Sequence, residues 1–197
     1  MLKLRRAYYL AAMIGFAHSA GAANLVKDGG FETPATPPGS YTLYDLGDKI
    51  GPWTVVGANG NVNTISTTFT QNGYTFGAKR GEASMDLTGT SNTATGVAQQ
   101  VKTAAGVKYT LTFWVGNVYD PNGIFGVSST VNVYSGSTLL ISAKNTKGKG
   151  KTSQIWQKFS TTFVASGPTM LSFVNGDPSD DTLCGLDQIT LAPYASQ

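Results

Sequence analysis

The sequence predicts an all-β fold, a two-sheet antiparallel β-sandwich. Three observations point there. Charged residues make up only 13% of the 197-residue chain. No stretch repeats apolar residues at helical spacing. Short runs of β-branched and aromatic residues recur instead, separated by Gly, Asn, Asp and Pro, which is how a sandwich punctuates its strands.

Residues 1–22 read as a secretory signal peptide. Lys3, Arg5 and Arg6 form a positive segment, an apolar run follows over 7–17, and Ala20-Gly21-Ala22 is an A-x-A cleavage site. The run is shorter than the roughly 20 apolar residues of a spanning helix. The expectation is a secreted protein without membrane insertion, with one domain over 23–197. Of the 14 basic residues three lie in 1–22, so 11 remain against all 11 acidic ones. A neutral chain lacks the clustered positive field that nucleic acid requires.

Early strands are expected at 25–26, 53–56, 62–67, 84–87 and 97–101, with a Pro-rich irregular loop over 33–40. The clearest strand is 108–118. Tyr109, Leu111, Phe113 and Val115 fall on one face, and Thr110, Thr112 and Trp114 on the other. Asp120-Pro121-Asn122-Gly123 is a turn sequence. Segments 129–134 and 138–143 form a hairpin across Ser135-Gly136-Ser137. Segment 144–151 carries four lysines among glycines and reads as a solvated loop. Segment 156–165 alternates again, with Phe159, Thr161 and Phe163 on one side, and 169–174 and 186–191 complete the set. About ten strands suffice for two packed sheets.

The residue inventory excludes much chemistry. The one histidine, His18, lies in the signal segment, so the mature chain has no Ser-His-Asp or Cys-His nucleophile and no His-ligated metal. The one cysteine, Cys184, forms no intrachain disulfide and reads as a buried thiol. Cohesion must come from a hydrophobic core or a metal.

Several stretches carry a resemblance together. Asn24-Leu25-Val26-Lys27-Asp28-Gly29-Gly30-Phe31-Glu32 opens the mature chain, and Gly51-Pro52-Trp53-Thr54-Val55 follows. Later come segments 106–114 and 156–159, then Asn175-Gly176-Asp177-Pro178 and Gly185-Leu186-Asp187-Gln188-Ile189-Thr190-Leu191. These resemble the galactose-binding-like jelly rolls, above all domain-of-unknown-function family 642. At greater distance they are similar to carbohydrate-binding modules of families 4, 9 and 22. The resemblance implies a jelly roll whose first and last strands lie close. It also implies a structural calcium held by Glu32, the carbonyl of Gly30, and Asp187. One departure is Arg80 before Gly81, where calcium-binding relatives often supply a carboxylate. Two carboxylates brought together in a dry place independently call for a cation or a shared proton, and calcium takes oxygen donors. The alternative is that Glu32 pairs with a lysine and Asp187 makes a turn bond. Asp177, Asp180 and Asp181 read as a turn-forming loop.

Sugar recognition needs flat aromatic faces with amides, hydroxyls and carboxylates around them. Trp53 and Trp156 are expected in the core. Trp114, opposite the apolar face of its strand, is the candidate platform, with Asn117 and Tyr119 just beyond it. Tyr74 in a Gly-flanked loop and Tyr134 are further candidates. The expected function is non-catalytic binding of a polysaccharide or glycan. A surface or matrix protein that binds extracellular proteins is the alternative. A glycoside hydrolase is a third reading, which would need two carboxylates roughly 5–10 Å apart, and Glu82 and Asp86 are the pair on offer.

Overall fold

The computed structural model describes residues 23–177 and 183–195. The expected signal segment, with Asp180 and Asp181, lies outside them. Fourteen strands occur among the described residues: β1 (Tyr41–Asp45), β2 (Lys49–Ile50), β3 (Trp53–Gly57), β4 (Asn61–Ser66), β5 (Thr70–Gln71), β6 (Tyr74–Thr75) and β7 (Ala83–Asp86), then β8 (Thr95–Val101), β9 (Lys108–Asn117), β10 (Ser129–Ser135), β11 (Thr138–Asn145), β12 (Ile155–Val164), β13 (Thr169–Asn175) and β14 (Gly185–Pro193). They form two six-stranded sheets, β1-β4-β7-β14-β9-β12 and β11-β10-β13-β8-β3-β2, and a small β5-β6 hairpin. Neighbouring strands pair antiparallel.

Alternation decides which side chains enter the core. In β9, Tyr109, Leu111, Phe113 and Val115 are buried while Thr110, Thr112 and Trp114 are half-buried on the outer face. Trp53 is fully buried and sits 5.3 Å from Phe31 and edge-on to Phe173 at 6.0 Å. Phe113 meets Phe173 edge-on at 5.5 Å, which locks one sheet onto the other with edge-to-face ring packing. The Trp53 indole N–H donates to the carbonyl of Asp28 at 2.9 Å. Cys184 is buried, as its apolar setting predicts.

Residues 25–26 form no strand of their own, but they lie beside β14. The Leu25 amide donates to the Leu191 carbonyl at 2.8 Å. The Asn24 side chain donates to the Ile189 carbonyl and accepts from the Leu191 amide. The contact continues at Gly29, whose carbonyl accepts from Ile189 N. A Cβ at Gly29 would lie 2.2 Å from the Ile189 carbonyl oxygen, so only glycine allows this approach. The start and end of the domain are thereby bound to each other, as the resemblance implies.

One expectation about the core fails. Trp156 lies opposite Gly116 in the β12–β9 pairing, on the outer face with Trp114. It is half-buried there, and its indole donates to the Gly77 carbonyl at 2.9 Å. The alternation of β12 does place Phe159, Thr161 and Phe163 inward, and Trp156 has the opposite parity.

Candidate functional site

The outer face of the first sheet builds a cleft. In β4, Val62 faces the core, while Asn63 and Ile65 face outward. In β7, Met85 faces the core, and Ser84 and Asp86 face outward. The register places Asn63 directly opposite Asp86 and Ile65 opposite Ser84. Cross-strand partners of this kind have Cβ atoms about 4.5–5.5 Å apart. Ordinarily such an outer face meets water. Here the β5-β6 hairpin folds over it, and loop 120–127 closes from the other side. Ile65, Phe76, Val118, Phe125 and Leu183 form a second hydrophobic cluster, separate from the sandwich core. Phe76 lies 5.5 Å from Phe69 and 5.0 Å from Phe125, and Tyr41 meets Phe69 edge-on at 5.5 Å.

Beside this cluster a cavity of about 340 Å³ remains, within the size range of small-ligand sites. Phe69, Phe76 and Phe125 supply apolar walls, with Tyr41 and Ile124 at 40% and 51% exposure. Its polar lining is Asn63, Asp86 and Asn92, with Gln71 and Thr90 at its exposed edge. The Oδ1 atoms of Asn63 and Asn92 are both buried and have no hydrogen-bond partner. A buried acceptor left unpaired costs about 1–3 kcal/mol. Asn92 adopts φ 45° in loop 88–94, a conformation that asparagine tolerates.

Asp86 is buried at 2% exposure. Its Oδ1 accepts from Thr88 N at 3.0 Å, Thr88 Oγ1 at 2.7 Å and Cys184 N at 3.0 Å. Burial pushes its carboxyl from 3.8 up to about 6, and these hydrogen bonds restrain the rise. Glu82 does not share the cleft. It is exposed before β7, and its amide donates to the Glu32 carboxylate. Four strand residues span about 13 Å, beyond the spacing of a hydrolase pair.

A second carboxylate site joins segment 29–32 to β14. A Cβ at Gly30 would lie 3.6 Å from Asp187 Oδ1 and 3.7 Å from Glu32 Oε1, so both carboxylates flank Gly30. Asp187 Oδ2 accepts from Lys79 N at 2.8 Å and Arg80 N at 3.2 Å, and Oδ1 accepts from Gln188 N at 2.6 Å. Burial, with a smaller push from the Glu32 charge, raises the Asp187 carboxyl to about 7. This donor set is all oxygen, the donor type that calcium takes. No group of three or more His, Cys, Asp or Glu is present among the described residues. Further ligands would therefore be carbonyls, such as that of Gly30, and water. Arg80 contributes its backbone N–H where a carboxylate was expected in relatives.

The structure does not assemble the predicted aromatic positions into one platform. Trp114 is half-buried on the outer face, with the Lys79 ammonium 4.1 Å from its ring centroid. That cation lies over one face of the ring. Asn117 is fully buried. Its amide donates to Val118 O and Ser129 Oγ and accepts from Gly148 N, so it is framework. Tyr134 belongs to β10, in the other sheet. Tyr74 and Tyr119 do meet: the Tyr74 hydroxyl donates to the Tyr119 carbonyl at 3.1 Å, and its ring lies 5.8 Å from Phe125. They belong to the structure that walls the cleft. Sequence reasoning missed Tyr41, Asn63, Asn92 and the aromatic cover of Phe69 and Phe76. The available signal was the outward parity of Asn63 and Asp86 on neighbouring strands, which becomes meaningful only once their register is known.

The profile of a protein family described as "Protein of unknown function (DUF642)" matches residues 24–192. No curated protein matches the sequence. Among solved structures, the chain is similar to a Stig cyclase from Fischerella sp. TAU in complex with (3Z)-3-(1-methyl-2-pyrrolidinylidene)-3H-indole. The identity is 18% and the TM-score 0.62, over 90% of this chain and 100% of that one. It is similar to the K3 cleaved adhesin domain of Lys-gingipain from Porphyromonas gingivalis w83, with 18% identity and a TM-score of 0.50 over 87% of this chain and 98% of that one. The CBM22-1 xylan-binding domain of Paenibacillus barcinonensis Xyn10C overlaps with a TM-score of 0.48 at 12% identity, over 83% of this chain and 100% of that one. At these identities the likenesses are of fold.

Proposed function

The chain belongs to the DUF642 family, and from that premise we propose that it is a secreted, non-catalytic carbohydrate-binding protein whose ligand enters the cleft over β4 and β7. The observation that carries this reading is the pair of unpaired amide oxygens, on Asn63 and Asn92, in a cavity walled by aromatic rings. Sugar hydroxyls satisfy such acceptors, and the C–H face of a pyranose packs on rings. Calcium bound between Glu32 and Asp187 would tie the chain ends together and leave the cleft to the ligand.

A glycan array with the mature protein tests the reading. Retention on one glycan class is expected, and Asn63→Leu should weaken it at least tenfold. Retention on none, with the protein folded, removes it. Catalysis is favoured by one observation: burial raises the Asp86 carboxyl to about 6, nearer the pH at which acid–base groups work. Reducing sugar released from the retained glycan, and lost in Asp86→Asn, would replace binding with hydrolysis.

A further inference from the structure

The cleft lining is lopsided in its hydrogen-bonding chemistry. Its unpaired buried atoms are acceptors, the Oδ1 of Asn63 and of Asn92, and the ionised Asp86 carboxylate can only accept. Asn63 is 6% exposed, Asp86 is 2% exposed, and the Oδ1 of Asn92 is shielded from solvent. Asn63 and Asp86 stand opposite each other on adjacent strands, so amide oxygen and carboxylate present together. No lysine or arginine lines the cavity. The rings of Tyr41, Phe69, Phe76 and Phe125 do, and aromatic faces attract cations.

A buried carboxylate is ordinarily paired with a cation. Asp86 instead receives neutral donors, from Thr88 and from the backbone amides of Cys184 and Gly89. With its carboxyl at about 6 it is mostly ionised at neutral pH. A neutral hydroxyl donates one hydrogen bond and brings no charge. An anionic sugar would meet the like charge of Asp86 and leave the Oδ1 acceptors of Asn63 and Asn92 without donors. A primary ammonium supplies three donors and the missing positive charge.

Resting on the carbohydrate reading, we propose that the cleft selects amino sugars with a free amine, the ammonium lying between Asn63, Asp86 and Asn92 against the surrounding rings. N-Acetylation would remove the charge and two of the three donors, and would add bulk. The ligand class is therefore a de-N-acetylated glycan, distinguished from its acetylated and its amine-free counterparts.

Calorimetric titration with three oligosaccharides of equal length tests this: a glucosamine oligomer, an N-acetylglucosamine oligomer and a glucose oligomer. The glucosamine oligomer should bind at least tenfold more tightly than the other two. Asp86→Asn keeps an acceptor for Thr88 and Cys184, and should reduce that preference to threefold or less. Asp45→Asn, at the exposed end of β1, should keep the full preference. Equal binding of all three oligomers, or preference for an uncharged one, overturns the amine assignment and leaves carbohydrate binding standing. So does a preference that survives in folded Asp86→Asn, or one lost in Asp45→Asn, which would mark diffuse charge attraction. Binding of none of the three, with retention of another glycan on the array, also rejects the amine. No retention of any glycan rejects the underlying reading as well.

Discussion

At the scale of the residue, Asp86 has the most direct consequence. Its folded carboxyl binds a proton more tightly than the unfolded chain does, about 6 against 3.8. The associated stabilisation is therefore complete below the unfolded value and is lost as pH rises through about 6. That difference corresponds to about 3 kcal/mol. Asp86→Asn removes the charge and retains the acceptor. Thermal melts should show the variant above the parent at neutral pH, with the gap closing towards about pH 4. A variant that melts lower at neutral pH would show that the ionised form is stabilised by something beyond its neutral donors. Trp53→Ala is the opposite case. It empties the centre of the core and frees the Asp28 carbonyl, so chemical denaturation should register a loss of about 3–5 kcal/mol. The importance of Trp53 was legible from its Gly-Pro-Trp setting. That of Asp86 was only half legible, because its neighbour Asn63 is 23 positions away and only pairing reveals it.

At the scale of the element, alternation was a reliable guide wherever one face is buried. It located β9, β12 and the β10–β11 hairpin to within a residue or two. It failed at β1, where Tyr41 and Leu43, the exposed residues, are apolar, and Thr42 and Tyr44 are half-buried. That inversion follows from β1 being an edge strand beside the cleft. The hairpin β5-β6 has two-residue strands, too short for any periodicity, and its rings gain a purpose only against Ile65. The opening segment was legible in another sense: its resemblance placed it beside β14. Asn24→Ala deletes a donor and an acceptor to β14. Urea denaturation should show a loss of about 1–2 kcal/mol. No loss would mean that the Leu25–Leu191 backbone contact holds the segment unaided.

At the scale of the whole molecule, two layers share one core, and the carboxylates Glu32 and Asp187 flank Gly30 where segment 24–29 runs beside β14. If calcium sits there, chelation should lower the melting temperature. Metal at a hundredfold excess over its dissociation constant is worth about 2.7 kcal/mol. For a domain of this size that is roughly 5–10 °C. An unchanged melt in EDTA, with no metal by elemental analysis, would leave the pair stabilised by the amides of 79, 80, 82 and 188 alone. Cys184 reports on the same fold from inside. It is fully buried, so a thiol reagent should modify it only as fast as the domain opens.

The contact of Asn24 and Leu25 with β14 also bears on how the polypeptide could be rewired. A short flexible bridge from 195 back to 23 would close the chain into a ring with little distortion of either sheet. New termini cut at Gly136, the exposed tip of the β10–β11 hairpin, would then yield a circular permutant. That permutant should fold with the parent's dichroism spectrum and remain as competent towards its ligand, because the order in which the strands are synthesised is not what holds them together.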